Sequence, residues 1–455
     1  MDKTAFKVIA TVVLILLGTI LAIVATPPSG ISYTKGILMD FGDYDIEYLG
    51  IEDGDRNAVD SLKDLADYYS IAITWDGNNI VSAEKETISY PEAGSDKVWS
   101  LYVTNEGSLE WSVYAGDPSQ VHVGDYSAVC WGLCSTGQMP TRGVDATGVC
   151  YYGHGQSTRV VSMAPSCTET ICASGAGSII VGADEFSNYP SYIKDDMESG
   201  KIVSIGGYTN PSYESIAKLN PDMVIGVSDQ SVHLSVIEKM RAHGVYCLAI
   251  TNGDSIETIL DNTYMVGAAM NYQLKSVQTI SQIKAALQTL DGILDAGTTH
   301  TSDVMISLST SKSPWIAGGN TYASDVIDFA HCANIYSPEK GWVMVNSETV
   351  ASRNPDYIIV VSSDIPATES EYNNMLASLS AEWRNTEAFA NGNIYLLSGS
   401  ASDLASRPST RIAQFTELMC RILQPSVFSD IEVQHYIGDN YRDYLYYTKE
   451  LGFET

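Results

Sequence analysis

The chain has 455 residues, 45% of them hydrophobic, with 25 Lys+Arg against 55 Asp+Glu and a formal charge of −30. That length suits about three domains of roughly 150 residues, each able to bury a core. The charge argues against nucleic acid or anionic membrane surfaces as partners and fits a protein exposed to salty surroundings.

Lys3 and Lys7 precede residues 8–26, a stretch without a charge and about as long as a bilayer span requires. Pro27-Pro28-Ser29-Gly30 ends it. Ile23-Val24-Ala25 is a poor cleavage site, and no cysteine there could carry a lipid. Residues 1–29 therefore read as an N-terminal transmembrane anchor rather than a removed signal, which places the rest at the cell surface. Outside the cell disulfides are permitted, and Cys130, Cys134 and Cys150 leave room for one bridge. A metal at these cysteines would need His154 as a fourth ligand, and the spacing is not a zinc pattern. No metal site is expected.

Residues 30–155 read as a small α+β domain. Apolar residues at 58, 59, 62, 65 and 66 mark a helical face, and residues 71–75 alternate like a strand. Residues 97–114 read as two strands joined by Asn105-Glu106-Gly107, and residues 121–131 as a turn and another strand. Gly153-His154-Gly155 opens a linker.

Residues 156–265 then alternate strand and helix. Residues 159–177 read as strand, turn and helix, with Ser166 and Glu169 as a capping box, strands are expected at 179–183, 223–227 and 245–250, and residues 201–205 lead into the Gly206 turn. A long helical stretch from about 256 to 294, broken near Met270-Asn271, lacks glycine and proline from 277 until Gly292. Its later part, within 266–300, reads as a rigid connector. Residues 301–455 repeat the strand–helix scheme, with strands at 304–308 and 393–397.

One stretch occurs twice, at 214–228 and 348–362. Identities fall at Glu214/Glu348, Ala217/Ala351, Asn220/Asn354, Pro221/Pro355, Asp222/Asp356, Ile225/Ile359 and Ser228/Ser362. Each copy is a short helix stopped by Asn-Pro and followed by an apolar run that suits a strand buried on both faces. The fold class that follows is α/β: two Rossmann-like lobes joined by a long rigid helix, preceded by the small α+β domain and the transmembrane helix.

Residues 159–425 resemble the cobalamin- and iron-chelate-binding proteins of ABC importers. The matching motifs are Arg159-Val-Val-Ser-Met-Ala-Pro-Ser-Cys-Thr-Glu169, Val181-Gly-Ala183, Tyr213-Glu-Ser-Ile-Ala217, Pro314-Trp-Ile-Ala-Gly318, Ala333-Asn-Ile335, and Ser347-Glu-Thr-Val350 with Pro355-Asp-Tyr-Ile-Ile359. The resemblance implies that Glu214 and Glu348 dock onto a membrane permease, which works with an ATPase. It also implies a chelate ligand in the cleft, either a cobalamin-type corrinoid or an iron chelate. The early helix, Trp99-Ser-Leu-Tyr-Val103 and Val123-Gly-Asp…Trp131 resemble the transcobalamin-like C-terminal domain, which implies corrinoid contact or adhesion.

Ligands of open α/β sheets lie at strand C-termini. The loops there offer Phe186, Tyr189 and Tyr208 from one lobe and Trp315 and Trp342 from the other, aromatics that suit a large flat ligand. Tyr208 and Trp342 each lie six residues before a docking glutamate and are expected to sandwich the ligand. His233 and Arg407 are rim candidates: Arg407 to pair with a ligand carboxylate or phosphate, His233 or a tyrosine to ligate haem iron. No nucleophile elbow, His-Glu-x-x-His or phosphate loop is present, so no enzyme activity is expected. A non-transport surface adhesin on the same fold is the rival reading.

Overall fold

The computed structural model describes residues 35–51, 55–105, 111–140, 142–297 and 301–451. The expected anchor lies outside them, and among the described residues no helix is long and apolar enough to cross a membrane.

The N-terminal module contains strands β1 (Gly36–Asp40), β2 (Ile46–Gly50), β3 (Ala72–Asp76), β4 (Asn79–Lys85), β5 (Ile88–Tyr90), β6 (Lys97–Thr104), β7 (Ser112–Val113) and β8 (Ala128–Ser135). Five form a sheet in the order β2-β1-β8-β6-β7, and β3-β4-β5 form a second. Helix α1 (Ala58–Tyr69) starts where the Asn57 side chain accepts from the Asp60 amide and stops at left-handed Ser70. Successive strand residues point to opposite faces, and β1 feeds two cores that way. Ile37 and Met39 pack with α1, whereas Leu38 packs with the following α/β region. The junction to that region is polar as well. The Ala146 amide donates to Ala249 O at 2.9 Å, and Asp145 accepts from the Ala249 amide and from Arg241. Arg142 pairs with Asp261 at 2.9 Å and lies over the Tyr44 ring.

The first lobe is a parallel sheet of β9 (Val160–Ser162), β10 (Ile180–Ala183), β11 (Val203–Ser204), β12 (Met223–Val227) and β13 (Tyr246–Ile250), in the order β11-β10-β9-β12-β13. Helices α2 (Pro165–Ala173), α3 (Ser191–Glu198), α4 (Tyr213–Lys218) and α5 (Ser231–Ala242) connect its strands. Then come α6 (Ile256–Met270) and α7 (Gln273–Gly297), separated by left-handed Asn271.

The second lobe holds β14 (Asp303–Ser307), β15 (Trp315–Ala317), β16 (Ala333–Asn334), β17 (Trp342–Met344), β18 (Tyr357–Val361), β19 (Ile394–Leu397) and β20 (Tyr436–Ile437). The order is β17-β15-β14-β18-β19-β20, with β16 beside β14. Strands β15 and β17 run antiparallel to their neighbours. Helices α8 (Tyr322–Phe329) and α9 (Ser347–Arg353) flank this sheet.

The repeated Asn-Pro-Asp has a structural job in each lobe. Asn220 and Asn354 both adopt left-handed backbone, at φ 46 and 49, which asparagine tolerates. The Asp222 carboxylate then accepts from the Thr158 and Arg159 amides, while its own amide donates to Arg159 O. Asp356 does the same to Asp303, accepting from its amide at 2.9 Å and donating to its carbonyl at 2.8 Å. Each copy thus clamps the start of its lobe's first strand.

Two expectations are corrected. The capping box does not form: α2 starts at Pro165, so Ser166 lies inside it and Ala164 precedes it with no side-chain cap, while Glu169 pairs with Arg407 and Arg411 instead. The eight cysteines are free thiols, so no bridge joins Cys130, Cys134 or Cys150.

Removing the clamp should loosen the first lobe. Hydrogen bonds to charged groups contribute about 1.5–3 kcal/mol, and Asp222 is exposed, so Asp222→Ala should cost about 1–2 kcal/mol in thermal unfolding. An unchanged melting temperature would contradict the clamp.

Candidate functional site

The loop after β10 displays Phe186. Asp184, fully buried, accepts from the Phe186 amide at 3.0 Å and from the Ser187 hydroxyl. Burial pushes its carboxyl up to about 6. Phe186 itself is 55% exposed.

Tyr208 follows β11 in a tight turn. Gly206 has φ +98, and a Cβ on it would lie 2.7 Å from Asn210 O, so only glycine fits. His233 pins this loop from below. Its Nδ1 accepts from the Val227 amide at 3.2 Å, and its Nε2 donates to Tyr208 O at 2.8 Å. Burial lowers its pKa, which favours the neutral form this pattern needs. With both nitrogens committed and no exposure, His233 does not offer an iron ligand; it is a loop anchor.

On the second lobe, the β15–β17 pair offers another aromatic face. Trp315 lies opposite Met344, and Ala317 opposite Trp342, so these four share one face. Trp315 and Met344 are 46% and 58% exposed, and Trp342 is half-buried. Gly318 lets the chain before Trp342 approach, since a Cβ there would sit 2.5 Å from Glu339 O.

Tyr322, at the first position of α8, was not singled out from sequence. Its ring lies 6.5 Å from that of Trp342. It is also near enough to Tyr208 that a charge there would push the buried Tyr322 phenol further up, after the larger effect of burial. Its hydroxyl donates to Ala405 O at 2.9 Å. Tyr322 therefore borders both residues of the expected sandwich. A tyrosine opening a short helix resembles many core tyrosines, so no local signal marks it.

Beneath these aromatics the lobes meet through charge. The Glu169 carboxylate on α2 accepts from Arg411 Nε at 2.9 Å and Nη2 at 2.6 Å, from Arg407 Nη1 at 3.1 Å, and from Ser409. Arg407 also donates to Asn188 and to Phe186 O, and pairs with Asp403. It is therefore committed within the protein, and the expected pairing with a ligand anion is corrected to a tie between lobes. Tyr189 is committed too. Its hydroxyl accepts from Arg442 at 2.9 Å and its ring lies 4.1 Å from the Arg411 guanidinium, while burial pushes its phenol up to about 12.

A cavity of about 450 Å³ opens beside this tie, lined by Phe186, Met197, Ser363, Asp403 and Arg407. Glu214 and Glu348 occupy the first turns of α4 and α9, and both are exposed.

A family described as "Periplasmic binding protein" matches residues 160–401, over half of the chain. The chain belongs to that family. A relative in Bacillus subtilis strain 168, named as an uncharacterized ABC transporter substrate-binding lipoprotein YvrC, is 24% identical over 60% of this chain and 82% of its own. A cobalamin-binding protein of Halobacterium salinarum R1 is 23% identical over 61% of this chain and 72% of its own. Among solved structures, a periplasmic heme binding protein from Pseudomonas aeruginosa aligns with a TM-score of 0.52 at 19% identity, over 59% of this chain and 94% of that one. That likeness shows the fold. The match of this periplasmic binding protein to its family begins at β9, after the N-terminal module.

Trp342 distinguishes a ligand wall from a core. A binding aromatic typically costs about 2 kcal/mol or more of affinity on truncation, roughly thirtyfold, whereas a buried one costs about 3–5 kcal/mol of stability. Trp342→Ala is expected to weaken ligand binding about thirtyfold with a small change in melting temperature. A large stability loss with unchanged affinity per folded molecule would place Trp342 in the core.

Proposed function

We propose that this periplasmic binding protein is an extracytoplasmic solute receptor that holds a cobalamin-type corrinoid or a ferric chelate between its lobes. It delivers that ligand to the permease and ATPase of an ABC importer. The observation that carries the reading is the exposed apolar face of Trp315 and Met344, continuing through Trp342, together with exposed Phe186 on the other lobe. Large exposed apolar surfaces mark binding sites, and flat walls of this kind suit a macrocycle or chelate. The cobalamin-binding relative supports the corrinoid as first choice.

In this reading residues 1–29 anchor the chain and 30–155 form the transcobalamin-like module. Residues 156–265 and 301–455 are the binding lobes, and 266–300 the connector that keeps their rotation small. The protein performs no catalysis. Haem is the alternative ligand, and surface adhesion the alternative role. Titrating the full chain with cobalamin, haem and a ferric siderophore, read by absorbance and calorimetry, tests the reading. Saturable binding of the corrinoid or the siderophore supports it. Binding of haem alone replaces the ligand assignment, and binding of none favours adhesion.

Glu214 and Glu348 sit one per lobe at equivalent helix starts, exposed and turned to solvent. Opposite charges across an interface mainly set orientation and encounter rate. Reversing both to lysine is expected to leave ligand affinity intact and abolish uptake in a cell-based transport assay; normal uptake would remove their docking role.

A further inference from the structure

Three potential metal ligands meet on the face where α7 passes the second lobe. Asp291 and Asp295 lie one turn apart on α7, and His331 follows α8. Their donor atoms all lie within 4.8 Å of one another. His331 Nε2 is 3.6 Å from Asp295 Oδ1 and 4.0 Å from Asp291 Oδ1. Two ligands held at about 2.1 Å from one ion stand at most about 4.2 Å apart, so both distances already fit a shared cation. The third needs only a carboxylate rotation, which exposed aspartates make freely.

The backbone holds these groups without the ion. The His331 amide donates to Asp328 O at 3.0 Å and the Cys332 amide to Ile327 O at 3.2 Å, while Gln424 donates to Ala330 O at 2.9 Å. Two carboxylates one turn apart on a helix repel each other. Among the described residues no lysine or arginine pairs with either, and the His331 imidazole is the basic group beside them. The site is thus rigid in backbone, rich in negative charge and short of a counter-charge.

We propose that Asp291, Asp295 and His331 bind a divalent transition-metal ion of the zinc type and so tie α7 to the end of α8. One imidazole with two carboxylates selects such ions over magnesium and calcium, which take oxygen ligands. Three protein ligands leave the remaining positions to water. Sequence spacing could not show the site, because the histidine lies 36 residues beyond the second aspartate. The proposal is independent of the ligand in the cleft.

The test is calorimetric titration of the chelator-treated full chain with Zn²⁺, repeated for His331→Asn and Asp295→Asn. Asparagine accepts the left-handed backbone that His331 adopts at φ 56, so His331→Asn should fold, and the metal-free melting temperature verifies that. The expected result is one saturable Zn²⁺ per chain, weakened about 10–100-fold in each variant, a loss on the scale of removing a metal-site partner. Excess Ca²⁺ should fail to displace it. Absence of saturable binding, unchanged affinity in His331→Asn, or displacement by Ca²⁺ at comparable concentration would overturn the site.

Discussion

The arrangement of the two lobes depends on a single buried carboxylate. Glu169 is 1% exposed and Arg411 2% exposed, and burying either charge alone costs several kcal/mol. Burial pushes the Glu169 carboxyl up, but Arg411, Arg407 and their hydrogen bonds more than offset this and hold it below its usual range. That balance exists only when the lobes stand at their present separation. Removing one partner by mutation would leave an uncompensated buried ion, a penalty of about 3–5 kcal/mol. Asn188 and Asp403, which hydrogen bond at 2.9 Å across the same contact, line cavities on both of its flanks.

This tie also explains what is left for recognition. Arg407, Tyr189 and His233 look like ligand-binding groups by residue type. Each is consumed by the protein: two in the lobe contact, one under the Tyr208 loop. Phe186, Trp315 and Met344 remain uncovered. In the proposed reading, recognition rests on these apolar groups, with Glu185, Lys194 and Glu198 as charged residues beside Phe186.

Much of the fold was legible in the sequence because its signals are local. Runs such as residues 223–227 and 357–361 are apolar at every position, and the structure makes them inner strands, one of the first lobe's parallel sheet and one of the second lobe's mixed sheet. The helical break near Met270-Asn271 is a single left-handed asparagine. The aromatic loops were legible as loops, but the uses of their polar residues were not. Glu169 and Arg411 are 242 residues apart, and nothing local distinguishes that pair from a capping glutamate. Tyr322 escaped notice for the same reason, since its meaning lies in which residues surround it. Residue type announces a capacity, and tertiary contact decides whether that capacity is spent internally or left for a ligand.

The N-terminal module adds a constraint that the lobes alone would not have. Its Leu38, Tyr44, Tyr102 and Trp111 belong to the same continuous core as the first-lobe strands. Asp145 fastens it to β13, and Lys284 of α7 pairs with Asp43 at 2.8 Å. Tyr152 and Tyr264 share a hydroxyl contact at 2.8 Å within the junction. A module held by shared core and buried polar contacts moves as one body with what it touches. The same core runs on through α7 into the second lobe, where Val304, Ile306, Tyr322 and Ile359 belong to it, and the Ile256 amide at the start of α6 donates to Asp325 on α8 at 2.7 Å.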